Sequence, residues 1–104
     1  MPPDLSARRI LIVVGKTPLP DKLPYDRVVS LGNQRRPHDP RINKHLFIEG
    51  DTDEVVKWGC TYSLYYPAAE QFTVCGDGEA ADQICEMLEM ISAEGTPFGV
   101  ERLR

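Results

Sequence analysis

The apolar positions of this chain fall into short runs separated by glycines, prolines and acidic turns. The first run, in residues 8–15 (RRILIVVG), is rich in β-branched residues, ends at a glycine and is apolar on both faces, which predicts a central strand. Shorter runs at 26–31 (DRVVSL) and 45–49 (HLFIE) predict two further strands. Residues 16–25 hold three prolines, which exclude a regular helix or an inner strand there.

The stretch 54–66 has a pattern that fits two structures. Asp51 and Glu54 have the spacing of a helix capping box. However, apolar residues occupy every second position from Val56 to Tyr66, and glycine, threonine and tyrosine within the stretch are weak helix formers. We therefore predict a long strand here, apolar on one face.

A turn at 67–69 should lead this strand into a hairpin with residues 70–75. In the register that places apolar side chains together, Leu64 faces Phe72 and Tyr62 faces Val74. The hairpin makes the predicted sheet antiparallel.

The clearest periodic segment is residues 79–94, which predicts an amphipathic helix. Asp77 or Gly78 is expected to cap its start, and Gly95 to end it. At 100° per residue one face of this helix is apolar. Its members are Ala80, Ala81, Ile84, Met87, Leu88 and Ile91.

Together these elements predict a single α+β domain over residues 1–104. It comprises an antiparallel sheet of about four to five strands with the C-terminal helix packed on one face. Residues 1–7 are expected to be flexible, and residues 96–104 to add a short edge segment. The predicted core takes five side chains from the sheet and three from the helix. They are Trp58, Tyr62, Leu64, Phe72, Val74, Ile84, Leu88 and Ile91.

Composition places the chain among ordinary globular domains. It has 104 residues, of which 41% are hydrophobic and 27% charged. The longest apolar run, residues 10–14, is too short for a membrane span or for the core of a signal peptide. We therefore expect a cytoplasmic protein without membrane contact.

The three cysteines do not form a metal-binding pattern. Cys60, Cys75 and Cys85 contain no CxxC pair, whereas structural zinc sites usually draw their ligands in closely spaced pairs. A zinc site that combines them with His38 or His45 is disfavoured. We expect reduced structural thiols and no metal.

No catalytic motif is recognisable in the sequence. No GxSxG frame surrounds a serine, and neither GxGxxG nor GxxxxGK[ST] occurs. Gly76-Asp77-Gly78 before a helix resembles an anion-binding turn, but Asp77 and Glu79 would repel a phosphate there. We expect a non-enzymatic protein without a cofactor.

Charge divides the chain into two unequal parts. Residues 1–45 hold nine Lys/Arg and four Asp/Glu, whereas residues 46–104 hold three Lys/Arg and twelve Asp/Glu, which gives +5 and −9. The positive charge is concentrated in a proline-broken loop at 33–44, which suits phosphate contact. Its candidate nucleic-acid-binding residues are Arg35, Arg36, Arg41 and Lys44.

The predicted helix carries the second unusual surface. Four acids lie within about 80° of arc, Met90 projects among them, and no Lys or Arg occurs in the helix. An apolar residue ringed by acids suits docking onto a partner protein with a basic surface. The candidate protein-binding residues are Glu79, Asp82, Glu86, Glu89 and Met90.

The favoured hypothesis is thus a small protein-binding or adaptor module that acts through this acidic helix face. Two alternatives remain open. One is a nucleic-acid- or nucleotide-binding protein that uses the loop 33–44, and the other is a virus- or plasmid-encoded inhibitor of a host protein. The oligomeric state is not encoded in any pattern that we recognise.

Overall fold

The architecture is taken from a computed structural model of the chain. It describes residues 5–15, 25–32, 45–49, 56–57, 61, 64–76, 78–95 and 97–103, and for 32 and 45–49 it describes the backbone alone. The candidate nucleic-acid loop 33–44 lies outside the described residues.

The described strands form one five-stranded sheet in which every neighbouring pair is parallel. Its order is β3-β2-β1-β4-β5. The predicted antiparallel sheet is therefore wrong. This order is that of doubly wound sheets, which extend from a central strand first in one direction and then in the other. The strands are β1 Arg9–Val14, β2 Arg27–Gly32, β3 His45–Glu49, β4 Gln71–Gly76 and β5 Gly99–Leu103.

The central position of β1 explains its sequence. Ile10 to Val13 are completely buried, and successive residues point to opposite faces of the sheet. Leu11 pairs with Val28 of β2 and with Thr73 of β4, so β1 is hydrogen-bonded on both sides. An uninterrupted apolar run is typical of a parallel strand that is covered on both faces.

The helix α1 spans Glu79–Glu94, which confirms the predicted bounds. It begins after Gly78, where no side chain caps its amino end, and it ends at Gly95, whose N–H donates to the carbonyl oxygen of Ile91 at 3.0 Å. The helix packs against β4 and β5, on one face of the sheet as predicted. Its buried residues are Ala81, Ile84, Cys85 and Leu88.

In the segment predicted as a strand at 54–66, every described residue before Tyr66 is helical. Residues 56, 57, 61, 64 and 65 have helical backbone, and the Thr61 hydroxyl donates to the carbonyl oxygen of Lys57 at 2.8 Å. The predicted hairpin is therefore wrong. Its partner strand β4 lies beside β1 instead, in parallel.

The correction changes which side chains fill the core. Phe72, Val74, Ile84 and Leu88 are buried as predicted, but Leu64 is 76% exposed. Ile91 is only half-buried. Trp58 and Tyr62 lie outside the described residues.

The sheet is buried on both faces. The larger core lies on the face that carries α1 and includes Ile12, Phe72 and Leu88, with Tyr66 packed into it. A smaller cluster on the opposite face contains Leu11 and Val13 with Val28 and Cys75, and Tyr25 and Leu103 pack against it. The molecule is consequently layered around its sheet rather than built on one side of it.

Candidate protein-binding surface

The acidic face of α1 is formed as the helical periodicity predicts. Its five candidate residues are all exposed, opposite the buried residues that contact the sheet. They are Glu79, Asp82, Glu86, Glu89 and Met90. The exposed face of α1 is therefore the face that the periodicity predicts, and its role in protein binding stays a prediction.

One of the four acids is paired, which the sequence did not indicate. The Arg102 guanidinium Nε lies 3.1 Å from the Asp82 carboxylate Oδ1, so β5 supplies the cation that the helix lacks. Within the described part of the chain, Glu86 and Glu89 have no ion-pair partner. Glu79 likewise has no ion-pair partner among the described residues, so unpaired negative charge extends from the first turn of the helix through its middle turns.

Apolar exposure on α1 is larger than the sequence suggested. Met90 is 57% exposed and lies at the edge of the acidic face, next to the row of the helix that carries Glu86. Met87 was predicted on the core face of α1 but is 40% exposed. The buried face of the helix contacts β4 and β5, and Met87 lies at the margin of that face. Two methionines thus reach solvent one turn apart.

A shallow apolar groove adjoins this margin of α1. Its volume is about 230 Å³, and Ile91 and Gly95 contribute its helical wall. Its other wall comes from residues between 64 and 69 and from Phe98, which lies just before β5. The lining residues are Leu64, Tyr66, Pro67, Ala69, Ile91, Gly95 and Phe98. Sequence reasoning missed this groove because the groove forms only when residue 64 is helical and exposed.

Strand order separates the charges of the described residues. The strands β1 and β2, which belong to residues 1–45, lie on one side of the sheet, and β4, β5 and α1, which belong to residues 46–104, lie on the other. Arg8 and Glu70 meet across the boundary at 2.9 Å. The negative potential therefore concentrates on the side that carries α1 and the groove.

A second location follows from the topology. Ligands of doubly wound sheets bind at the carboxyl ends of the strands where the winding direction changes, here between β1 and β4. Gly76 at this point has φ 150°, and a Cβ on it would lie 2.6 Å from the Val14 carbonyl oxygen. The adjacent first turn of α1 carries Glu79 and Asp82, whose negative charge disfavours an anion there.

The remaining candidates are partly outside the described residues. The candidates that lie outside the described residues are Arg35, Arg36, Arg41 and Lys44, together with Cys60 and His38. Cys75 and Cys85 are buried, and they lie on opposite faces of the sheet. In the described ranges no three His, Cys, Asp or Glu side chains are grouped as metal ligands.

No helix among the described residues has the length and apolar character required to cross a bilayer. Comparison with protein-family models, with curated proteins and with solved structures returned no match.

Proposed function

We propose that this chain is a protein-binding module whose helix α1 docks onto a basic surface of a partner protein. The observation that carries the proposal is the exposure of Met90, at 57%, among acids of which Glu86 and Glu89 lack an ion-pair partner in the described residues. Like charges spaced along a helix repel one another, and a partner's Lys or Arg would relieve that repulsion. The same contact would cover the methionine.

Separation of charge across the sheet adds to this proposal. A partner with positive potential would be steered toward the α1 side, since long-range fields mainly raise association rates. Inhibition of a host protein would use the same surface and remains a narrower form of the hypothesis. Nucleic-acid binding by residues 33–44 remains the alternative.

The test compares variants in affinity capture from the native host. Immobilised full-length chain is incubated with extract at low and at high salt, with and without nuclease treatment, so that bridging by nucleic acid is detected. The variants are Glu86→Lys and Met90→Asp, with Glu101→Lys as a matched control that changes the net charge equally at an exposed position of β5.

We expect a partner that Glu86→Lys and Met90→Asp both lose, that Glu101→Lys retains and that high salt releases. In binding kinetics with purified proteins, that partner should associate more slowly with the Glu86→Lys variant and dissociate faster from the Met90→Asp variant than from wild type. Identical capture by all variants would refute the acidic face. Capture that nuclease abolishes would favour the basic loop instead.

A further inference from the structure

The groove beside α1 has walls that are fixed before any partner arrives. The Ser92 hydroxyl donates to the Phe98 carbonyl oxygen at 2.8 Å and accepts the Phe98 N–H at 2.9 Å. The Phe98 ring also packs edge-to-face on Phe72, with centroids 4.9 Å apart. On the other wall, Tyr66 is buried and packs edge-to-face with Tyr65. A preformed cavity binds with a smaller entropic cost than one that must form on contact.

The size and lining of the groove favour a single bulky side chain as its occupant. Its volume of about 230 Å³ is below the range of about 300–1,000 Å³ that small-molecule pockets cover. Its walls are mainly apolar, and Leu64 stands at its rim with 76% of its surface exposed. Exposed apolar surface around a small cavity is typical of a site that receives an apolar anchor from another chain.

The charges around the groove determine what must flank that side chain. Ile91 lies one turn after Met87, and the neighbouring row of the helix runs through Glu86, Met90 and Glu94. Glu94 is exposed and precedes Gly95, which lines the groove. The last turn of α1 contains no basic residue, so the negative end of the helix dipole adds to these acids.

We propose that the groove binds a bulky apolar side chain from a peptide segment in which Lys or Arg residues flank that side chain. This inference rests on the proposed function and identifies the chemistry of the partner's contact. The apolar residue would enter between Leu64, Ile91 and Phe98, while its basic neighbours would pair with Glu94 and Glu86.

The test uses random dodecapeptides displayed on phage and selected on the folded full-length chain. We expect the enriched peptides to combine at least one Leu, Phe, Ile, Met or Trp with nearby Lys or Arg. The best peptide is then synthesised with a fluorescent label, and its affinity is measured by polarisation. Absence of enrichment, or enrichment of acidic or wholly polar peptides, would overturn the inference.

Matched variants then locate the binding site. Leu64→Ser should weaken peptide binding by about fivefold to tenfold, as loss of an interface anchor does. Leu5→Ser is the control, because Leu5 is an equally exposed leucine, at 73%, elsewhere in the chain. Glu94→Gln should weaken binding by about twofold to threefold and reduce its salt dependence, whereas Glu101→Gln should not.

The outcomes separate this inference from the broader function. If Leu64→Ser binds the peptide like wild type but Glu86→Lys loses the captured partner, docking on α1 stands and the groove is refuted. If the peptide depends on Leu64 but capture from the host does not depend on Glu86 or Met90, the groove is a peptide site and the acidic face is refuted. Equal effects of Leu64→Ser and Leu5→Ser would refute the groove.

Discussion

At the scale of single residues, Asp26 connects the starts of the two neighbouring strands β1 and β2. Its carboxylate Oδ2 accepts the backbone N–H groups of Arg8 at 2.8 Å and of Arg9 at 3.1 Å. These two hydrogen bonds are the main reason that the pKa of the Asp26 carboxyl lies below its ordinary value, with the positive charges of Arg27 and Arg9 as smaller contributions. The charged form is therefore favoured in the folded chain.

This arrangement predicts a pH-dependent contribution to stability. Because the folded pKa is lowered, the contribution is complete above the unfolded pKa of about 3.9 and is lost as the pH falls through the folded pKa. We expect Asp26→Asn to be less stable than wild type at about pH 6, and the difference to shrink toward about pH 2.5. Urea unfolding of both proteins across this range measures it. A difference that does not change with pH would contradict the assignment.

At the scale of elements, Leu88 tests whether the helix faces the sheet as described. Leu88 is completely buried beneath α1, so Leu88→Ala should lower the free energy of unfolding by about 2–5 kcal/mol. Met90→Ala in the same helix is the control and should change it by less than about 0.5 kcal/mol, because Met90 is exposed. Urea unfolding measures both changes. A Leu88→Ala cost below about 0.5 kcal/mol would show that another face packs on the sheet.

Elements with one dominant signal were predictable from sequence, and the others were not. Periodicity and flanking glycines gave the bounds of α1, and short β-branched runs gave the strands near their observed positions. The strand prediction for 54–66 was wrong because strand propensity depends on context. The alternation of apolar and polar residues there was outweighed by tertiary packing. The spacing of Asp51 and Glu54 was the signal for a helix.

The predicted antiparallel orientation of the strands was wrong as a consequence of that one error. A hairpin between 54–66 and 70–75 would have required antiparallel pairing, whereas a helical connection permits β4 to lie parallel to β1. The run at residues 10–14 already favoured a parallel sheet, since strands covered on both faces lack alternation. For the candidate surface, the helix face followed from periodicity, but the groove and the Asp82–Arg102 ion pair required tertiary contacts.

At the scale of the whole molecule, burial on both faces distinguishes this layered fold from the one-sided sheet that the sequence predicted. Leu11 and Ile12 are adjacent in β1, are completely buried and belong to cores on opposite faces. Their neighbours differ accordingly: Leu11 lies between Val28 and Thr73, and Ile12 lies between Val29 and Val74.

Substitutions of Leu11 and Ile12 should therefore lower stability equally, whereas a sheet packed on one face alone would give unequal effects. Leu11→Ala and Ile12→Ala should each lower the free energy of unfolding by about 2–5 kcal/mol, because each opens a cavity in a packed core. Leu103→Ala is the control on the Leu11 face and should cost less, since Leu103 is only half-buried. Urea unfolding with an unchanged m-value measures all three. If Leu11→Ala costs no more than Leu103→Ala while Ile12→Ala remains costly, the sheet has one packed face and β1 is not central.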